Sequence, residues 1–266
     1  MQRILLIGFG NMGQALARGW LAHGREPESI AVVDPFPAAR AAAIQLGFQT
    51  AERPEFAPAD VAVFAIKPAQ VQQAAQFGRE GLAAGGVSLS IVAGKTLSAF
   101  ASLLGDGAAI VRGMPNTPAA IGRGITVLCA NEAVSPAQRA ACTELMSAVG
   151  AVEWVDDEAL MDAVTAVSGS GPAYVFLLIE CLAEAGRRAG LPNDLAMRLA
   201  RETVAGAGAY AAQADVEAGE LRRRVTSPNG TTQAALEVLM GNDDFMGLMA
   251  GAVEAAARRS RELSRE

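Results

Sequence analysis

Histidine and lysine are nearly missing from this chain of 266 residues, which holds one histidine, His23, and two lysines, Lys67 and Lys95. His23 falls in a helical pattern with no cysteine or carboxylate cluster at ligand spacing, so no metal site is expected and His23 reads as a surface or helix-end residue. Cysteine is scarce as well. Cys129, Cys142 and Cys181 are an odd number, set in apolar stretches without paired spacing, which argues against a disulfide framework and for buried free thiols in a reducing compartment. There is no basic excess: 22 basic against 28 acidic residues leave a formal charge of −6, with no footprint for nucleic acid and no pull toward an anionic membrane. A small anionic ligand must then be captured locally. The start lacks a signal-peptide pattern, because Ile4 to Ile7 runs directly into glycines. No uncharged stretch reaches spanning length; Ala163 to Ile179 comes nearest and carries Ser-Gly-Ser-Gly-Pro in its middle. A cytoplasmic protein is expected.

What is present is a hydrophobic content of 51% with 19% charged residues, the composition of a compact chain long enough for two domains. Short apolar runs at Arg3–Ile7, Ile30–Val33, Val61–Ile66, Val87–Val92, Ala109–Arg112, Gly124–Cys129 and Val152–Val155 predict strands. Helical patterns at Met12–His23, Pro37–Leu46, Pro68–Leu82, Leu97–Leu104 and Pro136–Val149 fill most of the gaps. This alternation predicts an α/β domain over residues 1–156, a doubly wound, mostly parallel sheet of Rossmann type covered on both faces. Beyond Asp156 the pattern is helical throughout: Ala159–Ala189, Asp194–Gln213, Asp215–Arg224, Thr231–Met240 and Phe245–Leu263. Residues 157–266 therefore read as an all-α domain. Its wealth of Ala, Leu, Val and Met exceeds what a few short helices can bury, which predicts a homodimer, with a monomeric subdomain folded back on the sheet as the other possibility.

The run Ile7-Gly8-Phe9-Gly10-Asn11-Met12-Gly13 places G-x-G-x-x-G between a strand and a helix. Gly8 permits the tight turn, Gly10 lets a pyrophosphate approach the backbone, and Gly13 allows helix and strand to pack closely. The second strand ends at Asp34, about twenty residues beyond the last glycine, where a carboxylate accepts hydrogen bonds from a ribose 2′-hydroxyl and favours NAD. Arg40 lies about one helical turn further and would suit a 2′-phosphate if Asp34 turned away; Asp34 could also serve simply as a helix cap before Pro35. Lys67, in Ala65-Ile66-Lys67-Pro68, and Lys95, after Ala93-Gly94, fall at predicted strand ends, where open α/β sheets bind ligands. Asn116, between Pro115 and Thr117-Pro118, offers a donor and an acceptor to the nicotinamide side of a cofactor.

Val225-Thr226-Ser227-Pro228-Asn229-Gly230-Thr231-Thr232 interrupts the helical half at what reads as a helix start. Amides there lack intrahelical partners, so Gly230, Thr231 and Thr232 can point donors at a small carboxylate; an ordinary capped helix entry has the same composition. The shortage of histidine and lysine bears on the chemistry. Oxidising an alcohol needs a group that removes the hydroxyl proton, and the helical half has no lysine or histidine. A cyclic imine protonated on nitrogen accepts hydride directly. Ser168-Gly169-Ser170-Gly171-Pro172 lies early in a long helix, where each glycine costs about 1 kcal/mol. Close approach of a ligand ring and tight helix crossing in a dimer both account for it.

Met114-Pro115-Asn116-Thr117-Pro118, Val167-Ser168-Gly169-Ser170-Gly171-Pro172-Ala173-Tyr174 and Val225 to Thr232, in that order behind the N-terminal glycine fingerprint, resemble pyrroline-5-carboxylate reductase along essentially the whole chain. The resemblance implies reduction of Δ1-pyrroline-5-carboxylate to L-proline by NADPH or NADH. It also implies an N-terminal Rossmann domain and a helical domain interlocked with a second subunit, each active site near that interface, with assembly of dimers into a higher oligomer left open. Carried over, Ser227 and the amides of Gly230 and Thr231 would hold the substrate carboxylate, and the Thr232 hydroxyl the ring nitrogen. Gly8 through Gly13, Lys67 with Pro68, Ala93 with Gly94, and Asn116 would line the cofactor. The chain has Asn229-Gly230 where many relatives have Gly-Gly, so the loop must accept a Cβ; asparagine tolerates positive φ. Asp34 stands where NADP-preferring relatives often carry small polar or basic residues, so cofactor preference stays open. Another cyclic imine acid remains an alternative substrate. A 3-hydroxyacid dehydrogenase would carry a catalytic lysine where this chain has Val175, Phe176 and Leu177, and a dinucleotide-sensing interaction protein would have no need of the Ser227–Thr232 segment.

Overall fold

The computed structural model describes residues 2–241 and 244–264. They divide into two compact units, one running to Gly169 and taking in the residues from Ala256 onward, the other Ser170–Ala255.

The first unit is built on one eight-stranded sheet of order β3-β2-β1-β4-β5-β6-β7-β8. Its strands are β1 (Ile4–Ile7), β2 (Ile30–Val33), β3 (Gln49–Ala51), β4 (Ala59–Phe64), β5 (Leu82–Ser90), β6 (Ala109–Met114), β7 (Gly124–Ala130) and β8 (Gly150–Trp154). All pairings are parallel except β6 with β7. The interior strand β1 is buried at every position, which is why it reads as an unbroken apolar run. Helices α1 (Asn11–Ala22), α2 (Pro37–Gln45), α3 (Val71–Gly81), α4 (Leu97–Leu104) and α5 (Pro136–Ser147) supply the connections. Ile4 and Leu6 pack with Leu16, Trp20 and Leu145 on one face, while Leu5 and Ile7 pack with Phe64, Phe77 and Phe100 on the other. The Trp20 indole N–H donates to Leu145 O at 2.8 Å, joining α1 to α5 beneath the sheet.

Two expectations about the strands change. The edge strand β3 was absent from the sequence reading, because Gln49-Thr50-Ala51 is short, polar and incompletely buried, leaving no apolar alternation. Strand β5 begins at Leu82, five residues before the apolar run at Val87, and its pairing with β4 shifts register between Ala59 and Val61. The antiparallel β6–β7 pair follows from a 3₁₀ turn at Thr117–Ile121 that ends on Gly122 at φ 68°.

The predicted helix Ala159–Ala189 is not one regular helix. A 3₁₀ turn (Glu158–Leu160), α6 (Met161–Val164) and a π turn (Thr165–Gly169) precede α7 (Gly171–Arg188). Pro172 has no N–H to donate and its ring would clash with the carbonyl four residues back, so the backbone widens before it. Thr165 and Ser168 bond back to the carbonyls of Met161 and Val164, competing with the ladder at the same place. Met161 is buried with Val127 and Cys129, and Ser260 donates to Asp162 Oδ1 at 2.6 Å. These contacts carry the first unit past the change from strands to helices near Asp156, out to Gly169, and draw the chain end into it.

The second unit contains α7, α8 (Asn193–Gln213), α9 (Ala218–Arg224), α10 (Thr231–Leu239) and the start of α11 (Asp244–Leu263). Ala183, Ala196 and Ala200 are buried along α7 and α8, which pack on each other. Val175, Phe176, Leu177 and Leu182 of α7 are exposed in the single chain, as are Val238, Met246 and Leu248. By length and composition the helical run Glu158–Arg188 would suffice to cross a membrane.

Candidate active site

The carboxyl ends of β1, β2 and β4 open onto a cleft of ≈ 460 Å³. Gly8, Phe9, Gly10, Asn11, Met12, Asp34, Ala65, Ile66 and Lys67 line it. The chain runs outward from β1 to β2 and β3 and then crosses back to β4 on the other side of β1, so the cleft sits at the switch point where an open α/β sheet takes a dinucleotide.

Each glycine of the fingerprint has a separate cause. Gly8 adopts φ +95°, and a Cβ there would lie 2.5 Å from Ala65 O. At Gly13 a Cβ would lie 2.4 Å from Gly8 O, so the start of α1 rests directly on the turn. Gly10 differs. No heavy atom lies within 4 Å of where its Cβ would stand, so the protein itself does not require glycine there. Its backbone faces open cleft, and α1 begins with no side-chain cap, leaving the N–H groups of Asn11 and Met12 for an anion. That combination fits a dinucleotide pyrophosphate.

Asp34 is 5% exposed and closes one side of the cleft. Its Oδ2 accepts from Phe9 N at 2.8 Å and its Oδ1 from Phe36 N at 2.9 Å. The carboxylate is therefore both a local turn former and a brace on the glycine loop, a second role that sequence alone did not reveal. Arg40 donates to Asp34 O at 2.8 Å, to Pro35 O at 3.0 Å and to Glu52 Oε1 at 2.8 Å.

Other expected cofactor residues lie outside this lining. Gly13 is buried behind the turn, and Pro68, Ala93, Gly94 and Asn116 are not part of the cleft wall. Gly94 has φ +71° and sits against Leu263, with 3.3 Å from its Cβ position to Leu263 Cβ. Asn116 was expected to offer both donor and acceptor; its Oδ1 already accepts from Ile125 N at 3.0 Å, which leaves the amide N–H donors and one oxygen lone pair. The cleft also includes Pro35, Phe36, Ala39, Gln70 and Ile91, which the sequence reading missed. Phe36 is 60% exposed. An aromatic two residues beyond the acidic strand end was the available signal.

In the second unit the segment before α10 forms a tight turn. Asn229 takes φ 59°, the only positive value at a non-glycine among the described residues, as its tolerance for that conformation predicts. Gly230 N donates to Ser227 O at 3.0 Å. This corrects the expected carboxylate grip, because the Gly230 amide is spent within the turn. A Cβ on Gly230 would lie 2.4 Å from Ser227 Oγ. The first intrahelical bond runs from Ala234 N to Gly230 O, so the N–H groups of Thr231, Thr232 and Gln233 precede the ladder. Among the described residues, the hydroxyls of Ser227, Thr231 and Thr232 make no hydrogen bond, although Thr226 bonds Arg222 O. Upstream, hydrogen bonds from Arg224 and then Arg223 hold the Glu220 carboxyl below its ordinary range. The turn thus presents amides and hydroxyls without partners among the described residues, the donor set a small carboxylate would need.

Residues 158–263 match the family described as pyrroline-5-carboxylate reductase dimerisation, and residues 3–94 match the one described as NADP oxidoreductase coenzyme F420-dependent. The pyrroline-5-carboxylate reductase of Pseudomonas aeruginosa is 43% identical over 269 residues, covering 99% of this chain and 97% of that protein. A solved pyrroline-5-carboxylate reductase from Coxiella burnetii superposes with a TM-score of 0.94 at 36% identity, covering 99% of this chain and 98% of that one. The Plasmodium falciparum pyrroline carboxylate reductase, solved with NADP bound, gives 0.83 at 28% identity, again covering 99% and 98%.

Proposed function

This chain belongs to the pyrroline-5-carboxylate reductase family of NAD(P)H-dependent oxidoreductases, and from that premise we propose how its residues divide the reduction of Δ1-pyrroline-5-carboxylate to L-proline. The observation that carries the reading is the set of unused donors on the turn before α10.

Ser227 Oγ and the amides of Thr231 and Thr232 hold the substrate carboxylate at the positive end of α10. The Thr232 hydroxyl holds the ring nitrogen. Gly10 with the amides of Asn11 and Met12 takes the cofactor pyrophosphate, Asp34 the adenosine ribose, and Ala65, Ile66 and Lys67 the opposite wall, with Gly8 and Gly13 shaping the turn behind. Pro68, Ala93, Gly94 and the Asn116 amide support the cofactor from strand ends outside the cleft wall. The bound NADPH or NADH supplies hydride to the imine carbon. The imine nitrogen arrives protonated, so the protein need move no proton, and its contribution is orientation and charge placement.

Residues 157–266 serve as the substrate-binding and dimerisation region. We assign the exposed apolar face of α7 to the contact between two copies, with dimers free to assemble further, which accounts for the apolar Glu158–Arg188 run without a membrane. The formal charge of −6 gives nucleic acid no footprint. We read the enzyme as cytoplasmic.

The test is loss of reduced-nicotinamide absorbance when pyrroline-5-carboxylate is added to the purified protein with each cofactor. Rapid oxidation is expected. Cofactor binding without oxidation would discard the substrate assignment.

A further inference from the structure

Resting on the assignment of the Gly8–Met12 cleft to the dinucleotide, we propose that this chain selects NADH over NADPH, with the Asp34 carboxylate excluding the 2′-phosphate.

Asp34 cannot swing aside at small cost. Its two oxygens satisfy the amides of Phe9 and Phe36, and rotation would strip both, one of them inside the glycine turn. The carboxylate therefore stays at the end of β2, the position that meets the adenosine ribose in this fold. Each carboxylate oxygen has a second lone pair, so a 2′-hydroxyl can donate to it. A 2′-phosphate brings no such donor and adds charge of the same sign.

A cation could offset that charge, and the structure commits the candidates elsewhere. Arg40, the guanidinium nearest in sequence, binds the carbonyls of Asp34 and Pro35 with one nitrogen and Glu52 with another, and its side chain is 18% exposed. Releasing it would break three bonds. Among the described residues lining the cleft, Lys67 is the only cationic side chain, and it follows β4, which is separated from β2 by β1. It stands across β1 from the strand end that carries Asp34, at the opposite wall of the cleft. The NADP-bound Plasmodium relative shows that the fold itself accepts the phosphate, so the discrimination resides in this chain's side chains.

Direct titration of the purified full-length protein with NADH and with NADPH, without substrate, tests the proposal through dissociation constants. NADH should bind tighter by at least about tenfold, as expected for one uncompensated like-charge contact. Equal binding, or tighter NADPH, would overturn the selectivity. Competition by ADP-ribose against its 2′-phosphate derivative should show the same ratio, since only the 2′ position differs; a lost ratio would overturn the assignment to that position. Asp34→Asn removes the charge while keeping one acceptor oxygen. Loosening of the glycine turn weakens both cofactors alike, so the NADH to NADPH ratio isolates the charge, and it should fall toward one. An unchanged ratio in a folded variant would remove Asp34 as the determinant. Binding of neither dinucleotide to the unaltered protein would instead sink the cleft assignment, and the selectivity with it.

Discussion

The backbone N–H of Phe9 donates to Oδ2 of Asp34 at 2.8 Å, across 25 positions of sequence. This bond makes the glycine turn after β1 and the end of β2 one unit. A side chain expected either to meet a ribose or to cap the helix that follows thus also sets the shape of the glycine turn.

Gly10 and Gly13 should respond differently to the same added methyl. Gly10→Ala meets no atom within 4 Å and should leave the melting temperature unchanged while weakening dinucleotide binding. Gly13→Ala drives a Cβ to 2.4 Å from Gly8 O, a backbone atom that cannot step aside. Overpacking of that kind costs about 1–3 kcal/mol. Thermal melts and cofactor titrations on both variants check the contrast; a destabilised Gly10→Ala would contradict it.

If Thr232 holds the ring nitrogen as proposed, Thr232→Ala should lower kcat by about tenfold or more, the effect of one hydrogen bond to a charged group. Cofactor affinity should not change. Thr232→Ser, which keeps the hydroxyl, should recover most of the rate. Parallel losses in turnover and cofactor binding would show that the substitution disturbs the fold rather than the substrate grip.

Arg112 on β6 and Glu158 form an ion pair at 2.8 Å with side chains 7% and 27% exposed, and Glu158 Oε1 also accepts from Leu97 N at 2.8 Å. Glu158→Ala leaves the guanidinium and the amide at the start of α4 without that oxygen. Unfolding in denaturant should show a loss of about 3 kcal/mol, the low end of the range for breaking a buried pair, because Glu158 keeps some contact with solvent. A loss below about 1 kcal/mol would class it with surface pairs.

Phe176 is 58% exposed on α7 in the single chain. Phe176→Asp should shift the protein from dimer to monomer in light scattering and abolish activity at low concentration, since a charge cannot be buried unpaired at a subunit contact. A dimer of unchanged affinity would place the interface elsewhere.

Burial pushes the Cys142 thiol up to about 12 from an ordinary value of 9.0. In the folded protein it should resist alkylation at pH 9, whereas the unfolded chain reacts. The same shift fixes a sign: between about pH 9 and 12 the unfolded state releases a proton that the folded state retains, so stability falls as pH rises through that window. Native-state labelling of Cys142 at pH 9, at the rate of a free thiol, would refute the burial.

The legible parts of this molecule are those governed by neighbours in sequence. Ile4–Ile7, the glycines behind it and the helix that follows declare themselves through apolar continuity and backbone freedom, and Asn229 through its tolerance of positive φ. Polar residues whose partners are set by the fold were less legible. Asn116 looked free to meet a cofactor with both ends of its amide, yet the antiparallel β6–β7 turn brings Ile125 N to its oxygen. β3 escaped notice because three polar edge residues bury too little to leave a pattern.

By itself, then, the sequence determined the α/β and all-α halves, the dinucleotide turn and the hydroxyl-rich helix entry, since period, glycine and proline act within a few residues. Tertiary structure alone decided which donors and acceptors remain for a ligand. It occupied the Asn116 oxygen, tied Arg40 to Glu52 and held Asp34 against Phe9 N, because a hydrogen bond goes to whichever group folding brings within about 3 Å.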